Sequence, residues 1–277
     1  MTHLKKVIVL MLLLFNSCAA FAEIKVSESL CSEKQVFKPG PSIKVLIKQD
    51  VITALVEVRG NYKVSSNNQI LSMGYVGKRL AVHSVYDGLM WGDEYSNQNH
   101  LVIEPTEENG FVFINGIQYK GKVHIYKTNQ HYVTLINEVT VEDFLKSVLS
   151  IKIMHPMPKE ALAAIAIVER TRFYERLLEN YDINRLWHVL AESEGYCGYG
   201  VTKRFFGVEE AVDWTSRIIL DNVPDNFSWD LDNEVQQSIL DLSDLGYNAR
   251  QIFESFYPNA KLLVVEEWDQ GEDQIIS

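Results

Sequence analysis

The chain has 277 residues, 47% of them hydrophobic, and its 26 basic against 37 acidic side chains leave a net charge of −11 at pH 7. An acid surplus of that size excludes a polyanion such as nucleic acid as the natural partner, whereas a neutral polymer is compatible with it. Length and apolar content are ample for one large core.

Residues 1–22 read as an export signal: Lys5 and Lys6 form a cationic start, Val7 to Phe15 an apolar run, and Ala20-Phe21-Ala22 a small-residue exit, so cleavage is expected before Glu23. The apolar run is shorter than the roughly 18–20 residues that cross a bilayer, so no transmembrane span is expected and the mature chain should lie in the periplasm or cell envelope. A rival lipoprotein-type site at Cys18 fits less well, because Phe15 and Asn16 stand ahead of it. Loss of Lys5 and Lys6 leaves 24 bases against 37 acids, a net charge of −13. From Asp221 onward 13 acids face only Arg250 and Lys261, which is −11, so residues 23–220 carry just −2.

Residues 23–41 read as a linker. The chain then divides by period. Short strands are expected at Ile43–Ile47, Ala54–Val58, Tyr62–Ser65, Leu80–Val85, Leu101–Glu104, Phe111–Ile114, Ile117–Tyr119, Val123–Tyr126 and Val133–Ile136, from alternation and from β-branched and aromatic enrichment. Asn115-Gly116 between two of them is a two-residue hairpin signal. The result is an antiparallel meander with one face on the core, and alternation does not distinguish a barrel from an open sheet.

At Thr140 the period changes to a helical one. Thr140 is an N-cap candidate with Glu142 and Asp143 in the first turn, and a helix to about Ser150 follows. Pro156 and Pro158 interrupt the chain, and Pro158 opens a second helix to about Asn180. Ala161, Leu162, Ala164, Ile165, Ala166, Ile167 and Val168 make its first half apolar all round, the mark of a buried central helix. The expected organisation is therefore α+β: a β-rich part at 42–139 and a helical part at 140–222, forming one domain, with an acidic helical segment and tail at 223–277. Cys31 and Cys197 survive signal cleavage; they either pair across a long loop or stand apart as small hydrophobes. Neither has a second Cys or a His at ligand spacing, so no zinc site is expected, and no cofactor.

VEDFLKSV (141–148), followed at fixed distance by PKEALAAIAIVERTR (158–172), resembles the paired segments of the stage II sporulation protein D and amidase-enhancer family, SpoIID/LytB. The likeness extends upstream through INGIQYKGKVHIY (114–126) and LINEV (135–139). Downstream it takes in YDI (181–183), YCGYG (196–200), EEAVDWTSRIIL (209–220) and the helices of VQQSILDLSDLGYNARQIFESFYPNAKLL (235–263). The resemblance implies a peptidoglycan-acting envelope protein. Members of that family that cut glycan are lytic transglycosylases whose proposed acid is the Glu of a Glu-Met-Pro turn.

Here the matching position is Lys152. Glycosidic cleavage needs a carboxylic acid that protonates the leaving oxygen, and lysine, with a reference pKa of about 10.4, does not replace it. The family's Gly-His-Gly-x-Gly-x-Ser-Gln stretch is also missing: Asp230 sits near the place of the His, and Gln236 alone corresponds to the Ser-Gln.

Two readings of different class follow from the resemblance. In the first, a catalytically silent relative binds peptidoglycan glycan strands or a peptidoglycan amidase, as an amidase enhancer would. In the second, a muramidase or lytic transglycosylase keeps its acid elsewhere, at Glu142, Glu160, Glu169, Glu192 or Glu194. Each of these has an ordinary alternative: Glu142 and Glu160 lie in first helical turns, where carboxylates suit the dipole, and Glu192 and Glu194 lie in a loop where solvation is usual.

Tyr196, Tyr199, Phe205 and Phe206, among glycines, are candidates for a sugar-stacking platform or for core cover. Arg170 is a candidate for a lactyl carboxylate or acetamido oxygen, or for a structural carboxylate. His155, beside Lys152, is expected at the surface. Glu169 falls in the core-facing stripe of its helix, so it requires a neutralising partner, either Lys152 across the turn or Arg172 on its own helix.

Overall fold

The computed structural model describes residues 41–107, 110–179, 185–202, 207–223 and 231–265. The alternating stretch becomes strands β1 (Ser42–Val51), β2 (Thr53–Val58), β3 (Tyr62–Ser66), β4 (Gln69–Gly74), β5 (Lys78–Val85), β6 (Gly88–Trp91), β7 (Asp93–Ser96), β8 (His100–Pro105), β9 (Val112–Ile114), β10 (Ile117–Tyr119), β11 (Lys122–Lys127) and β12 (Val133–Thr140). They form two sheets. One is seven-stranded in the order β13-β1-β12-β11-β8-β3-β4, closed at one side by the two-residue β13 (Val189–Leu190), and the other is six-stranded in the order β10-β9-β2-β5-β6-β7. All pairs within them are antiparallel except β1 with β13.

Period-2 alternation decides which face is buried. Val45, Leu101, Val123 and Leu135 of the first sheet and Val56, Val82, Leu89 and Val112 of the second are fully buried in one shared core. Trp91 is buried there, donating Nε1–H to the Val56 carbonyl at 3.2 Å and meeting Tyr62 edge-on at 5.5 Å between ring centroids. The strands β4, β6 and β7 were not legible as alternating apolar runs. Ile70 and Met73 on β4 are exposed, and β6 and β7 are too short to show a period.

The Asn115-Gly116 hairpin joins β9 to β10, with both residues at positive φ, 50° and 85°. That is the pattern a two-residue turn between right-twisted strands requires. Asn115 also accepts from the Leu55 backbone N–H at 2.9 Å, tying the turn to β2.

Helix α1 (Val141–Lys152) starts at Thr140, whose side chain accepts from Asp143 N–H at 3.1 Å, and runs to Lys152 rather than Ser150. Helix α2 (Lys159–Glu179) takes the Pro158 carbonyl as its first acceptor, from Leu162 N–H at 3.1 Å. Every residue from Ala161 to Arg170 is buried, as its all-round apolar first half implies.

Around α2 pack α1, α4 (Val208–Trp214), α5 (Asn233–Asp244), α6 (Ala249–Phe256) and strand β14 (Ile218–Asp221), which pairs with β15 (Lys261–Val264). The short α3 (Ala191–Glu194) follows β13. No helix of the described residues is long and apolar enough to cross a membrane. The export signal, Cys18, Cys31, Phe205, Phe206 and Asp230 lie outside the described residues.

Candidate functional site

The turn after α1 brings Lys152 against the middle of α2. Lys152 sits in the last turn of α1, where the helix dipole favours a cation, and its side chain is 25% exposed. Glu169, 17 residues on, has no exposed surface. Lys152 Nζ donates to Glu169 Oε2 at 3.3 Å, and Arg172 NH2 donates to the same oxygen at 2.8 Å. The two partners considered for Glu169 are therefore present together.

Arg172 also reaches Glu194 Oε2 at 3.2 Å, and Arg176 binds Glu194 Oε1. Glu194 is 5% exposed, which corrects its expected place among solvated loop residues. The loop folds back on α2, and two arginines there supply the charge that makes its burial tolerable. Glu169 Oε1 and Arg172 Nε are buried without a hydrogen-bond partner. Tyr257 adjoins this cluster, its hydroxyl pushed up by burial and by the nearby Glu169 carboxylate.

Gln236, in the first turn of α5, is 4% exposed. It donates to the Lys152 carbonyl at 3.0 Å and the Leu231 carbonyl at 2.9 Å. Gln236 thus holds the turn that carries Lys152.

Two of the remaining candidate acids are engaged by protein groups. Glu142 takes a two-pronged pair from Arg170, Nε to Oε1 at 2.9 Å and NH2 to Oε2 at 2.8 Å. Glu160 Oε2 accepts the Ala249 backbone N–H at 2.8 Å and so serves the start of α6. Glu192 is exposed, as is His155. The cluster of Lys152, Glu169, Arg172 and Glu194 presents cations toward the outside and keeps its carboxylates inward.

Two of the ligand-contact candidates, Arg170 and Tyr196, are buried. Arg170 is fully buried and, besides Glu142, donates to the Ile218 carbonyl at 3.1 Å and the Val212 carbonyl at 3.0 Å. Its fork is filled by protein, so the structural-carboxylate alternative describes it. Tyr196 is 4% exposed and donates to Asn137 Oδ1 at 2.7 Å, while Asn137 donates to the Lys120 carbonyl at 2.8 Å. Burial pushes the Tyr196 hydroxyl well above the ordinary phenol value, and its ring is core cover rather than a platform.

Tyr199 is half-buried, with Lys120 Nζ 4.1 Å from its ring centroid and Phe111 at 5.8 Å. A ligand stacking on that face would displace the ammonium. Cys197 is exposed. No cluster of metal-ligating side chains occurs among the described residues.

Sequence reasoning did not single out Trp214. It is 50% exposed on α4 beneath Lys159, whose Nζ lies 4.0 Å from its ring centroid, and its half-exposed ring is an aromatic surface near the start of α2. A lone Trp in the run EEAVDWTS carries no period that would announce it.

The family described as stage II sporulation protein, SpoIID, matches residues 129–221, a span that contains Lys152, Glu169, Arg172 and Glu194. The chain is 46% identical over 250 residues to an uncharacterized protein of Chlamydia muridarum, covering 90% of this chain and 86% of that one. It is 42% identical over 270 residues to an uncharacterized protein of Chlamydia pneumoniae, covering 98% of each. A Brachyspira hyodysenteriae protein, also uncharacterized, is 34% identical over 109 residues, 39% of this chain and 28% of that one. No solved structure matches the chain significantly.

Proposed function

We propose that the chain, whose residues 129–221 match the stage II sporulation protein family, SpoIID, is exported to the cell envelope and binds peptidoglycan glycan there, regulating a separate peptidoglycan amidase rather than cutting glycan itself. The observation that carries this reading is the pairing of Lys152 with Glu169 at 3.3 Å, where the family resemblance places a catalytic glutamate. An ammonium held by a buried carboxylate can neutralise or hydrogen-bond an anionic or carbonyl group, but it does not supply the acid and base of glycoside cleavage. The engagement of Glu142 by Arg170 and of Glu160 by α6 speaks against a relocated acid at either place.

The test uses residues 23–277, the expected mature chain, with intact sacculi and with sacculi stripped of stem peptides, in the presence and absence of an amidase. Co-sedimentation without anhydro-sugar products, and an altered amidase rate, are expected. Products released by the wild-type chain and lost in Glu169→Gln or Glu160→Gln would replace this reading with a lytic enzyme whose acid has moved.

A further inference from the structure

The glycan reading leaves unused a group of titratable side chains on the seven-stranded sheet. Lys44, Glu138, His124 and His100 alternate with the core residues Val45, Asn137, Val123 and Leu101, so they share the opposite face. Glu138 Oε2 meets His124 Nε2 at 2.7 Å, and His124 Nδ1 meets His100 Nε2 at 3.0 Å. Ser42 donates to Glu138 Oε1 at 3.3 Å, Lys122 Nζ lies 3.7 Å from the same oxygen, and His100 stacks on Tyr126 at 4.2 Å.

At the edge of this face His188 clasps Lys44. Its backbone N–H donates to the Lys44 carbonyl at 2.8 Å, and its ring Nδ1 accepts the Lys44 N–H at 3.0 Å. The imidazole takes the place a carbonyl would have in a strand ladder. It matters because β13, which follows directly, pairs with β1 through Val189 and Leu190 alone. Next along the chain comes α3, whose Glu194 holds Arg172 and through it Glu169.

A ring nitrogen that accepts a backbone N–H must be unprotonated, since a proton there would set donor against donor. We propose that His188 is an acid-operated latch: neutral, it ties β13 and α3 to β1; protonated, it releases them and loosens the Glu194–Arg172–Glu169–Lys152 chain.

The groups facing it are Lys44 from β1, which opposes its protonation, and Glu138 from β12, which favours it but is already bound by His124, Ser42 and Lys122. Behind them stand His124, Lys122 and Tyr126 of β11 and His100 of β8. Burial first, then Lys44, hold His188 below the ordinary histidine range, so the latch is closed at neutral pH and opens on acidification.

Hydrogen exchange of the full chain at about pH 7.5 and about pH 5, corrected for the intrinsic rate, reads the latch directly. Protection of the Lys44 amide and of the Val189–Tyr196 amides should fall several-fold in acid, while the β2–β5 ladder stays unchanged. His188→Asn, whose side-chain oxygen can accept the Lys44 N–H but does not titrate, should hold its protection at both pH values. Unchanged protection in the wild type would overturn the proposal. So would an equal loss in His188→Asn, which would assign the response to His100 and Glu138. If His188→Asn does not fold, a wild-type NMR titration decides: the Lys44 amide shift must follow the His188 ring, and an indifferent Lys44 amide overturns the latch.

Discussion

At the scale of single residues, the Lys152 ammonium is neutralised by the buried Glu169, which Arg172 also holds. Glu169 has no exposed surface and carries both cations on one oxygen, so Glu169→Gln strips Lys152 of its carboxylate and leaves Arg172 to Glu194 alone. A loss of about 3–5 kcal/mol in urea unfolding is expected. Lys152 is 25% exposed and its removal leaves Arg172 in place, so Lys152→Met should cost about 1 kcal/mol or less. A double-mutant cycle should show coupling of about 1 kcal/mol; additivity within about 0.3 kcal/mol would mean that Arg172 neutralises Glu169 unaided. Arg170→Met removes one partner of the Glu142 pair and abandons two backbone carbonyls, so it too should cost about 3–5 kcal/mol. The proposed glycan binding should persist in its folded fraction, because no part of the Arg170 fork is offered to a ligand.

At the scale of elements, local chemistry and long-range contact act on the same segments. Helix α6 is eight residues long and is started twice over, by the capping box of Asn248 and Gln251 and by Glu160 from α2. Glu160→Ala should cost about 1 kcal/mol and raise hydrogen exchange in the first turn of α6, with no change in glycan binding. Gly116 in the β9–β10 turn has φ 85° and open space where a Cβ would stand, so its cost of substitution is conformational alone. Gly116→Ala should therefore lose about 1–2 kcal/mol in thermal or urea unfolding. An unchanged midpoint would mean the turn relaxes to another type.

At the scale of the whole molecule, the buried titratable groups set the response to acid. His100 is pushed down to about 4 by burial, then by His124 and Lys44. The unfolded chain takes up that proton first, so stability present above the ordinary histidine value is lost as pH falls toward 4. Glu138 is held at about 2, because His124, Lys122 and Lys44 together outweigh the opposing effect of burial. Its contribution is present above the ordinary carboxylate value and is lost as pH falls toward 2. The urea midpoint should thus drop in two stages on acidification, and His100→Asn should flatten the first. A midpoint independent of pH between neutrality and 4 would contradict this account of the sheet face.

Local physics left clear marks in the sequence. The hairpin at Asn115-Gly116, the cap at Thr140 and the buried helix that follows Pro158 are decided by residues within a few positions of one another, where backbone sterics, capping and apolar periodicity operate. The need of Glu169 for a partner was legible for the same reason, since helical geometry alone put a charge on the core side. What only the tertiary structure decided is which groups meet across long stretches of chain. Arg170 and Tyr196 are spoken for by Glu142 and Asn137, 28 and 59 residues away. Glu194 finds its cations 22 and 18 positions back on α2, and His188 finds Lys44 across 144. A side chain free to bind and one already bound share the same residue type and spacing, because the distinction lies in partners that folding alone brings within hydrogen-bond reach.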